Sequence, residues 1–172
     1  PIYSRAEVTE KIRRATVEAV PEADAHWVES HLLALTGLAE EAELGGDNRN
    51  EAFSAWRRFL EGLAEQRPLV LVFEDLHWAD DGLIEFVSDL VGRSDRHPIL
   101  VVTLARPELL ERRQDWGRIG AGSSTRLAPL GEDDMRSLVA GTVEDLDESA
   151  IELIVANSAG VPLYAEIGRA HV

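Results

Sequence analysis

Residues 69–81 read LVLVFEDLHWADD, and this stretch decides the fold. Five apolar residues follow Pro68 without alternation, which suits a parallel strand covered on both faces, because alternation arises where one face meets water. The run stops abruptly at Glu74 and Asp75, where the chain would leave the carboxyl edge of a sheet, the edge at which open α/β sheets bind ligands. Two adjacent carboxylates there match what nucleotide hydrolysis requires: one to support magnesium, commonly through water, and one to orient the attacking water. The plainer alternative is an acidic turn that opens the next helix, since carboxylates favour helix N-termini.

A second run, Ile99-Leu100-Val101-Val102-Thr103-Leu104, follows Pro98 with the same continuous character. Between the two, Leu83, Ile84, Val87, Leu90 and Val91 mark a helix, so the three pieces form a β-α-β unit. The expected fold class is α/β, part of a doubly wound parallel sheet. Upstream, Val8, Ile12, Ala15 and Ala19 predict a helix over residues 7–20, stopped by Pro21. Trp27, Val28, His31, Leu32 and Leu35 predict another that ends at Gly37, a residue suited to a left-handed cap. Residues 40–50 read as an acidic surface loop. Phe53, Trp56, Phe59, Leu60 and Leu63 then give an amphipathic helix with an aromatic core face, placing Arg57 and Arg58 toward water. Downstream, a short strand is expected over residues 125–127, followed by helices over 132–143 and 148–156.

The chain has 172 residues, 45% of them hydrophobic, enough for one compact core and too few for two ordinary domains. No apolar run approaches the roughly 20 residues of a membrane span, and no signal pattern opens the chain, so a cytoplasmic protein without membrane contact is expected. The absence of cysteine excludes a disulfide framework and thiolate metal sites. A formal net charge of -15, with scattered basic residues, argues against direct nucleic-acid binding. His26 and His31 do not share a helix face well, and no Gly-x-Ser-x-Gly elbow occurs, so zinc and nucleophilic chemistry lack support. The chain opens on Pro1 and its single methionine is Met135, so a piece of a longer protein is expected.

The phrase LVFEDLHWAD resembles the Walker B region of the AAA-like and STAND signalling ATPases, P-loop NTPases of the ASCE type. The likeness is greatest to modules fused to bacterial class III adenylate or guanylate cyclases and LuxR-type regulators. Leu44-Gly45-Gly46, Glu51-Ala52-Phe53 and Trp56-Arg57-Arg58-Phe59 resemble the cyclase-linked subset, and the match extends over residues 38–166. The resemblance implies ATP and Mg2+ as cofactors, Glu74 supporting the metal and Asp75 activating water. Their order is inverted from the commoner Asp-Glu pair, so the two roles are exchangeable. Asp80 matches a family acidic position, with helix capping as its alternative. His77 and Trp78 match too, Trp78 being expected to serve packing.

Thr103-Leu104-Ala105-Arg106-Pro107-Glu108 resembles the family's sensor strand, which implies that Arg106 approaches the γ-phosphate; a guanidinium fork suits phosphate oxygens. A solvated loop arginine is the alternative. Gly160-Val161-Pro162 resembles the Gly-x-Pro motif of a helical lid, implying that Pro162 packs on adenine, whereas the alternative is punctuation between helices. A phosphate loop needs Gly-x-x-x-x-Gly-Lys-Ser/Thr. The only lysine is Lys11 and no glycine precedes Gly37, so this loop is expected upstream of Pro1.

The expected organisation is a partial ATPase core over residues 1–130, the start of a lid over 131–166, and a non-native tail over 167–172. That tail, IGRAHV, is the translation of ATCGGAAGAGCACACGTC, a common sequencing-adapter sequence. The expected function is an ATP-binding and ATP-hydrolysing switch, inactive as this piece, whose nucleotide state biases an attached cyclase or DNA-binding domain. Self-association is left open. One alternative is a non-enzymatic interaction scaffold presenting Phe53, Trp56 and Leu60 to a partner. Another is metal-dependent hydrolysis by Glu74, Asp75 and Asp80 without nucleotide.

Overall fold

The computed structural model describes residues 4–37, 48–118, 122–142 and 146–169. Three helices come first: α1 (Arg5–Ala19), α2 (Glu22–Leu35) and α3 (Asn48–Gln66). Helix α1 starts on a capping box, in which the Ser4 hydroxyl accepts from the Glu7 N–H and the Glu7 carboxylate accepts from the Ser4 N–H at 2.7 Å. The exchange satisfies two backbone donors that a helix start otherwise leaves open. Gly37 sits just beyond α2 with φ 67°. That is the conformation expected of a left-handed cap. Ala19, Val20, Val28 and Ala55 form the buried centre of this layer, with Trp27, Phe59 and Leu63 packed around it. The Leu44-Gly45-Gly46 segment and most of the loop expected over 40–50 lie outside the described residues, as do residues 170–172.

Strand β1 (Leu69–Phe73) pairs in parallel with β2 (Ile99–Thr103), with Leu69 opposite Ile99 and Phe73 opposite Thr103; α4 (Asp81–Arg93) connects them. Phe53, Phe86 and Leu90 are buried against Leu71, Ile99 and Val101, so α3 and α4 cover one face of the sheet. The Trp56 and Phe86 rings meet edge to face at 5.2 Å. Phe53, Trp56 and Leu60 are thus engaged in the core cluster rather than presented to a partner.

Several expectations are corrected. The sheet has two strands among the described residues and is covered on one face, so its burial alternates: Val70 and Leu100 are each 58% exposed. Double coverage requires a second layer, and no described element supplies it. Residues 125–127 are not a strand, because no neighbouring backbone pairs with them. Arg57 and Arg58 do not simply face water. Arg57 lies 3.4 Å from both Glu61 and Asp89, and Arg58 lies 3.2 Å from Asp24. Buried Glu61 also accepts from the Ser94 hydroxyl at 2.9 Å, tying α3 to the end of α4.

The chain divides into two compact units, residues 1–123 and 124–172. The first also holds the short helix α5 (Glu108–Arg112), which is absent from the sequence reading because five residues are too few to show a period. The second contains α6 (Glu132–Thr142), α7 (Glu148–Ser158) and α8 (Pro162–Arg169), packed around Met135, Val139, Ile151, Ile154 and Ala165. Asp147 caps α7 by accepting from the Ala150 N–H at 2.7 Å. Ala159 and Gly160 take left-handed conformations, and Pro162 opens α8 at the first helical position, where its missing N–H costs nothing. A Cβ on Gly160 would lie 2.6 Å from the Leu130 carbonyl oxygen, so glycine is required there by space as well as by φ.

Candidate functional site

The parallel ladder continues one step past the strand ends and creates the site. The Leu104 N–H donates to the Phe73 carbonyl at 2.8 Å, and the Leu104 carbonyl accepts from the Leu76 N–H at 3.0 Å. Leu104, just past the end of the second strand, thus pairs on both sides of Glu74 and Asp75, which are extruded at the carboxyl edge. Asp75 makes the reversal in a left-handed conformation, φ 52° and ψ 32°. Aspartate and asparagine tolerate this region better than other side chains bearing a Cβ, because their short polar groups bond locally. Both carboxylates are exposed, and neither has a hydrogen-bond or ion-pair partner among the described residues.

A 3-10 turn, Leu76–Trp78, follows and is anchored by buried Leu76, which packs with Ile84 and Leu109. Asp80 then caps α4, its carboxylate accepting from the Leu83 N–H at 2.8 Å. This is the plainer of its two sequence readings. Trp78 is a correction: expected to pack, it is 78% exposed, its indole meeting the His77 ring at 5.1 Å. The buried position expected of Trp78 is filled by Leu76.

Arg106 lies beyond β2 with its side chain exposed, and its backbone N–H donates to His77 Nδ1 at 3.4 Å. The two loops that carry the sequence-predicted residues are therefore linked, Glu74 and Asp75 on one and Arg106 on the other. With Nδ1 accepting, the ring proton resides on Nε2, which is buried without a hydrogen-bond partner among the described residues. Pro162 is exposed and belongs to the second unit.

Sequence reasoning missed two arginines. Arg112 donates to the His77 carbonyl at 3.2 Å and to the Ala79 carbonyl at 3.3 Å, and reaches Asp81 at 3.3 Å. Arg113 reaches Asp81 at 3.2 Å. Hydrogen bonding and charge from Arg113, then Arg112, hold the Asp81 carboxyl below its ordinary range. The available signal was the Arg112-Arg113 pair shortly after the Thr103 strand end, which is unspecific without the fold.

No group of three or more His, Cys, Asp or Glu residues that could hold a metal occurs among the described residues. Glu74, Asp75 and Asp80 do not converge, which counts against hydrolysis by a resident ion. Two free carboxylates at a sheet's carboxyl edge instead suit a cation that arrives with phosphate oxygens as its other ligands, the usual mode of Mg2+.

A protein-family profile described as AAA ATPase domain matches residues 2–102. An uncharacterized protein of Rhizobium meliloti (strain 1021) is 29% identical over 128 residues, covering 69% of this chain and 12% of the relative. The chain thus spans about an eighth of the length of that curated relative. No solved structure matches the chain significantly. Among the described residues, no helix is long and apolar enough to cross a membrane.

Proposed function

The chain belongs to the AAA ATPase domain family, and from that premise we propose that it is part of a nucleotide-driven switch of the STAND type within a multidomain bacterial signalling protein. The observation that supports this most directly is the carboxyl edge, where the Phe73–Leu104–Leu76 pairing extrudes Glu74 and Asp75 next to the loop that carries Arg106. In this reading residues 69–75 are the Walker B strand and its carboxylates, residues 99–106 the sensor strand, and residues 131–166 the start of a lid that follows a core over 1–130.

Mg-ATP, when bound, supplies the phosphoanhydride to be cleaved and a cation that offsets developing negative charge. Glu74 would support the metal and Asp75 would orient the attacking water; both are acceptor-only when ionised and free of competing partners among the described residues. The Arg106 guanidinium would engage the γ-phosphate with its planar fork. Pro162, in the Gly-x-Pro-like segment of the second unit, would be the lid residue that packs on adenine. The nucleotide state then biases an attached cyclase or DNA-binding effector domain.

The phosphate loop is assigned to sequence upstream of Pro1, because no Gly-rich segment with a lysine exists in the chain. Isothermal titration with Mg-ATP should show little binding by these 172 residues and clear binding once the upstream segment is restored. Tight binding by the chain alone overturns the assignment of the loop. In the extended protein, Asp75→Asn should abolish turnover and spare ATP binding. Unchanged turnover transfers the water-activating role to Glu74, for which Glu74→Gln is the matching test.

A further inference from the structure

The geometry points to Arg112 as a positioning residue that holds the turn bearing Glu74 and Asp75 against the Arg106 loop. Local bonds within that turn, from the Trp78 N–H to the Asp75 carbonyl at 2.9 Å and from the Ala79 N–H to the Leu76 carbonyl at 3.1 Å, leave the carbonyls of His77 and Ala79 without partners inside it. Arg112 satisfies both, at 3.2 Å and 3.3 Å, and its Nη2 also reaches Asp81 at the start of α4. A planar guanidinium can bridge three acceptors in this way, whereas the compact ammonium of lysine is a single point of charge.

The arginine is itself fixed. Leu109, one turn earlier on α5, is buried beside Leu76 and Ile84, so α5 and the turn share one apolar cluster. Arg113 bonds the same Asp81 oxygen, Oδ1, at 3.2 Å and reaches Glu85 at 3.9 Å, and Glu85 pairs with Arg49 at 2.8 Å. His77 is therefore held twice: its carbonyl by Arg112 and its Nδ1 by the Arg106 N–H.

These groups lie at the surface, with the Arg112 side chain 45% and that of Asp81 67% exposed. Exposed ion pairs contribute little to global stability. What Arg112 contributes is a side-chain link to the His77 and Ala79 carbonyls, which adds to the Leu76–Leu104 pairing and the Arg106–His77 bond in fixing the register of the two loops. The inference rests on the proposed nucleotide site only for what the turn carries; the clamp does not depend on it.

Amide hydrogen exchange by NMR, with urea unfolding alongside, tests the clamp in the 172-residue chain. Arg112→Ala should speed exchange at Leu76, Trp78, Ala79 and Arg106 by about tenfold, through local opening, while the amides of α1 to α3 and the urea midpoint stay unchanged. Arg112→Lys should recover part of the protection, since it restores charge at Asp81 but cannot serve both carbonyls. Should Arg112→Ala fail to fold, Arg112→Gln, which keeps a shorter amide donor, is read against the lysine variant in the same way. Uniform acceleration with a lowered midpoint assigns Arg112 an ordinary structural role and overturns the inference. So does exchange that does not change at these four amides.

In the extended protein, Arg112→Ala should lower kcat for ATP hydrolysis with little change in KM, and the reverse pattern overturns the positioning role. If that wild-type protein hydrolyses no ATP, the nucleotide reading fails while the exchange result still decides the clamp.

Discussion

Asp75 combines a left-handed backbone with a carboxylate that has no partner among the described residues, and the two properties can be separated by substitution. Glycine removes the steric cost but widens the unfolded ensemble, so Asp75→Gly should change unfolding free energy by less than about 1 kcal/mol. A β-branched side chain is strongly disfavoured at positive φ, so Asp75→Val should lose roughly 1–2 kcal/mol. Urea denaturation of both variants checks this, and equal stabilities would show that the left-handed turn is not retained in solution. Neither variant keeps the carboxylate. The glycine form therefore retains the fold while removing the group proposed to activate water, the pattern expected of a residue selected for chemistry at some cost to local geometry. At this scale the sequence was informative where a residue acts on its own neighbours. Of the two readings of Asp80, a family acidic position or an N-cap, the N-cap could be read locally because a cap requires only the following backbone amides, and Asp80 is one. Trp78 was misjudged because its burial depends on which side of a 3-10 turn faces the core, and nothing in the local sequence encodes that.

Helices α1 and α3 approach closely at Gly62, where an added Cβ would lie 1.9 Å from the Ala19 carbonyl oxygen. That atom is backbone and cannot swing aside, so Gly62→Ala must push the helices apart. The expected loss is on the order of 1–3 kcal/mol, the usual range for overpacking, despite alanine's better helix propensity. Gly92 is the natural control, since a Cβ there meets nothing within 4 Å. Gly92→Ala in the last turns of α4 should be neutral or stabilising by up to about 1 kcal/mol. Comparable losses at both positions by thermal or urea unfolding would sink the close-approach argument. The helix positions themselves were legible, because apolar residues at helical spacing need only one buried face to register. The short α5 and the coil at residues 125–127 were not. The first is held by Leu109 and the bonds of Arg112, both of them tertiary; the second has strand-like residues but no partner backbone.

At the scale of the whole chain, two properties oppose each other. A formal charge of -15 favours solubility through mutual repulsion. The sheet face that no described element covers presents Val70, Val72, Leu100 and Val102, apolar residues on adjacent paired strands. We expect this chain to bind an apolar fluorescent dye while folded and to scatter more light as salt rises, because salt screens the repulsion and leaves the apolar attraction. Val72→Thr combined with Val102→Thr keeps β-branched shape on the strands, and should reduce both signals without a comparable loss of stability. Dye binding that is unchanged in this variant would show that the signal arises elsewhere.

The sequence by itself determined six of the helices, though not α5 or α8, together with both strands, the parallel β-α-β connection and the emergence of Glu74 and Asp75 at a strand end. Each of these follows from periodicity or adjacency along the chain. Tertiary structure decided which sheet face is covered, how Arg57 and Arg58 are paired, that Leu76 rather than Trp78 fills the core, and that Arg112 closes over the turn. These depend on residues far apart in sequence meeting at one place, and burial and pairing are properties of that meeting rather than of either residue alone.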